Sequence, residues 1–125
     1  MTEKSSSNAS EQLVEQIVKG IEEKKGEQIT TIDLRKIDNT ICDFFVVCHA
    51  NSNTQVKAIA DSIEEQVRKN LGDKVFNKEG YENLEWVLLD YVNVVVHVFQ
   101  KPFRAHYQIE SLWGDAVVKH IESIY

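Results

Sequence analysis

The segment from Glu85 to Phe99, EWVLLDYVNVVVHVF, constrains the fold of this chain more than any other segment. Two apolar runs flank a short turn at residues 91–93, which predicts a hairpin of two β-strands. In the first strand, Trp86, Leu88 and Asp90 share one face, and the residues between them share the other. Because both faces are largely apolar, this strand belongs inside a sheet or against a partner molecule.

The rest of the chain alternates between helical and strand-like patterns. Apolar residues recur three and four positions apart in the helical segments, and β-branched runs indicate strands. The predicted elements are helices over 11–24 and from the polar turn at 50–53 to Leu71, strands over 28–34, 43–49, 74–77, 85–91 and 93–99, and a final helix from Pro102 through the tail. Ser52, Asn53 or Thr54 could cap the second helix, and Leu71-Gly72 ends it. The order is α-β-β-α-β-β-β-α, with one parallel crossover expected within residues 43–77. We expect an α/β fold of the mixed α+β kind, in which helices pack on a five-stranded mixed sheet.

Length and composition favour a single soluble domain. The chain has 125 residues, enough for one sizeable core. We assign residues 10–125 to that domain and the polar segment 1–9 to a disordered tail. No apolar run approaches the roughly 20 residues that span a bilayer, and the start lacks the pattern of a signal peptide. Two cysteines without a metal-binding spacing fit a reducing compartment, so we expect a cytoplasmic protein without membrane contact.

The charge balance limits the choice of partners. Lysine and arginine number 14 and aspartate and glutamate number 20, which gives a net charge of −6. An acidic surface repels phosphate backbones, so neither sequence-independent nor direct sequence-specific binding of nucleic acid is expected. A basic protein partner fits this charge better; alternatively, the charge serves only to keep the protein soluble.

None of the common catalytic motifs occurs in the sequence. The phosphate-binding glycine motifs, the nucleophile elbow and the H-E-x-x-H zinc motif are all missing. Asp43, Asp61 and Asp90 are the carboxylates that we weighed, but no D-x-D pair is present to hold a divalent metal. We therefore predict no catalytic residue, no metal site and no cofactor.

Two histidines remain open to more than one interpretation. His49 ends a strand just before a helix, where it could contact an anion or serve as a polar strand end. His97 shares a strand face with Val95 and Phe99, which favours a semi-buried histidine with satisfied hydrogen bonds over a ligand.

Several motifs in order resemble those of the ribosomal silencing factor family, also called the Iojap family. They are DFFVVCHANSNTQVKAIAD, E-G followed by W-V-L-L-D-Y, then VVVHVF, and finally R-x-x-Y-x-I-E-x-L-W. The resemblance runs from about Leu13 to Trp113. It implies a sheet similar to that of nucleotidyltransferases, without catalytic residues.

The resemblance also implies a function. Members of the family bind the universal fourteenth protein of the large ribosomal subunit and sterically block the small subunit from joining, which represses translation in slow growth or starvation. Family members are often homodimers when free. The residues that match the family's partner-binding motifs are Trp86, Leu88, Asp90, His97 and Arg104. Arg104 and Glu110 could pair with each other or contact the partner, and Tyr107 and Trp113 are expected to pack on the sheet.

The sequence departs from the family pattern at two places, and three alternative interpretations remain. The family's Ser-Gly after the second strand is His49-Ala50 here, and its glycine-containing hairpin turn is Tyr91-Val92-Asn93. Trp86 could also be an ordinary core residue. A nucleotide-binding enzyme of the nucleotidyltransferase type and a plain homodimeric interaction module remain the alternative functions.

Overall fold

The structure is a computed structural model that describes residues 2–112, 114 and 116–125, with side chains from residue 9 onward. Within these residues, two long helices and one short helix accompany six strands. The helices are α1 Thr2–Glu23, α2 Asn53–Leu71 and α3 Lys101–Tyr107, and a 3₁₀ turn covers Ile109–Leu112. The strands are β1 Glu27–Asp33, β2 Phe44–Ala50, β3 Asn77–Glu79, β4 Trp86–Asp90, β5 Val94–Gln100 and β6 Val117–His120.

The described strands form one mixed sheet in the order β3-β4-β5-β2-β1-β6. β2 and β5 are parallel, with Phe44 opposite Val94 and Ala50 opposite Gln100, and the other pairs are antiparallel. The mixed α/β architecture is confirmed. The predicted count of five strands is wrong, because β6 adds a sixth strand along β1.

The tail after Pro102 folds differently from the predicted long helix. α3 ends at Tyr107, where Gln108 adopts a left-handed φ of 48° and its N–H donates to the carbonyl of Arg104. The chain then pairs Val117 with Asp33, and the β-branched Val117 and Val118 suit a strand once the free edge of β1 offers hydrogen bonds. Trp113 and Asp115, which the sequence places in that helix, lie outside the described residues.

The short third strand lies later in the chain than predicted. The sequence places it at residues 74–77, whereas β3 covers Asn77–Glu79 and pairs antiparallel with β4 at the sheet edge. The parallel crossover therefore joins β2 to β5 and not to the segment at 74–77. The polar Asn-Lys-Glu run carries no apolar signal that could have marked an exposed edge strand.

The first helix begins earlier than the predicted start near Glu11. Its backbone is helical from Thr2, through the segment that the sequence assigns to a disordered tail. Polar residues such as these can extend a helix that is already anchored by an apolar stripe further along, because extension is easier than nucleation. The single domain over residues 10–125 stays a prediction.

α1 and α2 pack together on one face of the sheet and enclose the main core. The two helices lie close together at Gly20, since a Cβ there would be 2.8 Å from the Cα of Ile63. The predicted caps of α2 are confirmed: the Ser52 hydroxyl accepts from the Gln55 N–H at 3.1 Å, and Gly72 ends the helix with φ 72°.

The other face of the sheet is covered only in part. α3 and the 3₁₀ turn pack over one area, where Phe99 and Ile109 join a second buried cluster. Phe45, Trp86 and Leu88 lie at the margin of that cluster and stay half-buried. The fold therefore leaves a partly open apolar area on the sheet face opposite α1 and α2.

Candidate functional site: the Trp86 face

We define the Trp86 face as Trp86, Leu88 and Asp90 of β4, His97 of β5 and Phe45 of β2. The alternation of β4 creates it. Val87 and Leu89 are fully buried beneath the helices, and the three residues that point the other way are half-buried. The register places Leu88 opposite His97 and brings these side chains onto the same side of the sheet. The predicted division of β4 into two faces is confirmed.

Trp86 lies within a cluster of aromatic rings. Its indole stacks on Phe99 with the ring centroids 4.9 Å apart, and Tyr107 of α3 lies 4.7 Å away. The indole N–H donates to Nδ1 of His97 at 3.1 Å. Because its polar atom is already bonded inside the protein, the part of Trp86 that remains exposed is the apolar surface of its ring.

His97 is buried and neutral. Nδ1 accepts the Trp86 hydrogen bond, so the ring proton lies on Nε2, which has no hydrogen-bond partner among the described residues. Burial lowers the pKa of His97 to about 4, against a smaller opposing effect of Glu110. The edge of the ring also meets Phe45, with centroids 4.8 Å apart. One ring nitrogen is thus satisfied, as expected for a semi-buried histidine, and the other is not.

Asp90 holds the hairpin turn. Its carboxylate accepts a hydrogen bond from the backbone N–H of Val92 at 2.8 Å. Val92 has a φ of 74°, and the N–H of Asn93 bonds to the carbonyl of Tyr91, which closes a γ-turn around Val92. This turn therefore places a β-branched residue in the left-handed region that glycine favours. Val92 is also more than half exposed.

Arg104 lies inside the protein. Its guanidinium donates to the carbonyl of Gln28 at 2.6 Å, to the Thr30 hydroxyl at 3.0 Å and to Nδ1 of His49 at 3.1 Å. It also forms an ion pair with Glu110, with Nη2 and Oε2 2.7 Å apart. The predicted pairing of Arg104 with Glu110 is confirmed. The prediction that Arg104 contacts a partner is not tested by this arrangement.

His49 occupies the polar end of β2. Nδ1 accepts from Arg104, and Nε2 lies 3.3 Å from a carboxylate oxygen of Glu27. Burial, followed by the positive charge of Arg104, lowers the pKa of His49. These bonds within the protein agree with a polar strand end. The cleft beside His49 and Arg104, about 440 Å³ in volume, also contains the acidic Glu110.

Gly80 is the glycine of the E-G motif, and the backbone at this position requires a residue without a side chain. It has a φ of 92°, and a Cβ at this position would lie 2.0 Å from the carbonyl oxygen of Trp86. The carbonyl of Gly80 then accepts from the N–H of Leu84 at 2.9 Å, which closes the loop. Only a residue without a side chain lets this loop lie against the backbone at Trp86.

The carboxylates of Asp43, Asp61 and Asp90 bond to separate groups and do not converge on one site. Asp43 accepts from the Ser10 hydroxyl at 2.6 Å, Asp61 pairs with Lys57 at 2.9 Å, and Asp90 bonds to the turn. Within the described parts of the chain, no group of three metal-ligating side chains comes together. Cys42 and Cys48 are both buried and free. No described helix is long and apolar enough to cross a membrane.

The sequence did not assign three of the residues around Trp86 to this site. Phe45 and Phe99 join the Trp86 cluster through strand pairing, and Tyr107 stays nearly half exposed beside Trp86 although it was expected to be core. The alternation of VVVHVF places His97 and Phe99 on one face, but only the register shows that this face is the one that carries Trp86.

Comparison with known proteins identifies the family. Residues 7–124 match the family described as ribosomal silencing factor during starvation. The chain belongs to the ribosomal silencing factor family. A protein named ribosomal silencing factor from Halalkalibacterium halodurans is 40% identical over 116 residues, which cover 93% of this chain and 97% of the relative. The equivalent from Bacillus subtilis is 42% identical over 101 residues, covering 81% of this chain and 84% of its own.

Other relatives and solved structures agree with membership of the ribosomal silencing factor family. The chloroplastic Iojap protein of Zea mays is 36% identical over 76 residues, which are 58% of this chain and 31% of that protein. A crystal structure from Bacillus halodurans has a TM-score of 0.73 at 39% identity, covering 86% of this chain and 97% of that one. A structure from Chromobacterium violaceum has a TM-score of 0.78 at 32% identity, with coverages of 91% and 94%.

Proposed function

We propose that this member of the ribosomal silencing factor family binds the large ribosomal subunit through its universal fourteenth protein. Bound there, it sterically blocks the small subunit from joining. Translation then falls in slow growth or starvation. The proposal places the protein in the cytoplasm together with the ribosomes, and it requires no catalytic step and no cofactor.

The observation that carries the proposal is the partly open Trp86 face. Trp86 and Leu88 are apolar, lie next to each other on one face of β4 and are only half-buried, although Val87 and Leu89 of β4 and residues 94–99 of β5 are buried. Tryptophan is a favoured anchor at protein interfaces because it buries a large area with few rotatable bonds. A partner that covers this face would remove that apolar surface from water.

The residues of the face have different proposed roles. Trp86 is the anchor, and Leu88 extends the apolar contact along β4. Asp90 keeps its turn in place and adds a negative charge at the margin of the face. His97 is only 5% exposed, so its proposed role is to orient Trp86 by accepting the indole hydrogen bond and not to contact the partner over a large area. The net charge of −6 favours a partner surface that is basic.

A subunit-joining assay tests the proposal. The protein is added to purified large and small ribosomal subunits, and joined ribosomes are measured by sedimentation. We expect the wild type to reduce joining, and Leu88→Glu to lose this effect because it puts a charge into the contact. Ile124→Glu is the matched control, since Ile124 is 75% exposed in the tail outside the Trp86 face. Unchanged subunit joining at saturating wild-type protein would refute the proposal.

A homodimer that uses the same face is the second candidate, because the half-buried Trp86 and Leu88 could equally cover each other in two copies. Analytical ultracentrifugation of the free protein tests it. Leu88→Glu should shift a dimer to monomer if the faces overlap, whereas an unchanged dimer would place that interface elsewhere.

The remaining alternative is a nucleotide-binding enzyme of the nucleotidyltransferase type. Such an enzyme should bind nucleoside triphosphates in calorimetry with magnesium present, and the absence of binding heat would exclude it.

A further inference from the structure

We propose that Arg104 is a positioning residue: it anchors α3 on the sheet so that Tyr107 holds the Trp86 indole in its binding orientation. The importance of this for partner binding rests on the proposed function. The positioning itself is a property of the free protein and can be measured without a ribosome.

The first step is the anchoring of α3 by Arg104. Arg104 as a whole is 9% exposed, and its guanidinium bonds to β1 through Gln28 and Thr30 and to β2 through His49. Glu110, in the 3₁₀ turn that follows α3, accepts from both Nε and Nη2. One side chain thus joins two strands, the short helix and the turn.

The local shape of β1 supports this role. The register of β1 with β2 shifts between Glu27 and Thr30, and Gln28 has a φ of 53° within that irregularity. A bulge of this kind redirects backbone groups, and here the carbonyl of Gln28 lies 2.6 Å from Nη1 of Arg104. A left-handed glutamine is unfavourable by itself, so this acceptor is retained by its surroundings, including the guanidinium.

The second step runs from Arg104 to Tyr107. α3 has only seven residues, which is too short for a helix to be stable without tertiary contacts. Arg104 and Tyr107 are three residues apart and therefore neighbours on the helix surface. Tyr107 is 48% exposed, so burial fixes its ring only in part, and the position of α3 determines where the ring lies.

The third step is the contact between Tyr107 and Trp86. The two ring centroids are 4.7 Å apart, and Phe99 and His97 limit the indole from its other sides. An interface side chain that is already held in one orientation loses less conformational entropy on binding. Without the Tyr107 ring, we expect the indole to sample more orientations and the partner to bind less tightly.

The experiment compares two single variants, Arg104→Lys and Tyr107→Ala, with their double variant. The first readout is the Nε1–H signal of Trp86 in nitrogen-15 correlation spectra of the free protein, assigned with Trp86→Phe. The second is the Kd for purified large ribosomal subunits. Lysine keeps the charge but cannot reproduce the branched set of guanidinium hydrogen bonds. Tyr107→Ala removes a nearly half-exposed ring, so it tests the last contact even if Arg104→Lys does not fold.

We expect both single variants to shift or broaden the Trp86 signal and to weaken subunit binding by about three- to tenfold. The double variant should have about the same Kd as the single variant that binds less tightly, because both changes act through the same contacts from Arg104 through Tyr107 to Trp86. Tyr107→Phe, which keeps the ring, should restore the wild-type signal. Ala105→Gln, at an exposed position on α3, is the control and should change neither readout.

Two results would overturn the positioning role. One is an unchanged Trp86 signal in Arg104→Lys or in Tyr107→Ala. The other is a double variant in which the two losses of affinity multiply, because Arg104 would then act on the partner independently of Tyr107. If the wild type does not bind large subunits, the proposed function fails. The Trp86 signal in the variants still decides whether Arg104 positions the indole.

Discussion

Trp86 donates its indole N–H to Nδ1 of His97 across 3.1 Å, from neighbouring antiparallel strands. This hydrogen bond requires a neutral histidine, because a protonated ring has no free lone pair. Burial keeps His97 neutral by lowering its pKa to about 4. The orientation of the proposed anchor therefore depends on the protonation state of a residue beneath it.

The first prediction concerns pH. An unfolded histidine titrates near 6.5, whereas burial lowers the pKa of His97 to about 4 in the folded protein. Between these two pKa values the unfolded state binds more protons than the folded state. The stabilisation that the folded protein gains from a neutral His97 is therefore complete above pH 6.5 and is lost as the pH falls towards 4. We expect the difference in unfolding free energy between wild type and His97→Gln to shrink by about 2–3 kcal/mol over this interval.

Urea denaturation at pH 7, 5 and 4 measures this difference. Gln has no titrating group but can still accept from the indole, and the carboxylates shared by both proteins cancel in the comparison. A difference that stays constant between pH 7 and 4 would mean that His97 has the same pKa in the folded and the unfolded protein, which would contradict the lowering of its pKa by burial.

The second prediction concerns Gly80. Alanine at this position would place a Cβ 2.0 Å from the Trp86 carbonyl oxygen, so the loop or the start of β4 must move. We expect Gly80→Ala to destabilise the protein by about 3 kcal/mol and to shift the Trp86 indole signal. Gly72→Ala is the matched control, because Gly72 also has a positive φ but has nothing within 4 Å of the added methyl group. Equal losses of unfolding free energy in the two variants would contradict the close approach.

The third prediction concerns the hairpin turn. Val92 has a φ of 74°, which is unfavourable for a β-branched residue. Val92→Gly should therefore stabilise the protein by about 1 kcal/mol, even though glycine makes the unfolded chain more flexible. Val117→Gly is the control at another exposed valine, which lies in β6, and it should destabilise. Thermal unfolding of both variants checks the opposite signs, and a destabilised Val92→Gly would refute the strained turn.

The fourth prediction concerns the packing of α1 on α2. A methyl group on Gly20 would lie 2.8 Å from the Cα of Ile63, and the helices would have to separate. We expect Gly20→Ala to cost about 2 kcal/mol although alanine is the better helix former. Denaturant unfolding measures this cost, and a stabilised variant would show that the helices do not cross at Gly20.

The local elements were predictable because their signals are local. The apolar stripe of α2 and its Ser52 cap, the strand β2 and the hairpin of β4 and β5 all follow from residue spacing. β6 was missed because its four residues, all exposed, resemble a helix tail until the free edge of β1 provides a partner. β3 was misplaced since a polar edge strand needs no apolar pattern.

The sequence by itself determined which residues of β4 share a face and, through ordered motifs, which family the chain resembles. Strand periodicity is a property of consecutive residues, so no tertiary information was needed to group Trp86, Leu88 and Asp90. Only the tertiary structure decided that His97 accepts the Trp86 hydrogen bond and that Arg104 is buried. These relationships join residues that are distant in the chain, and they depend on strand register and on how α3 packs against the sheet.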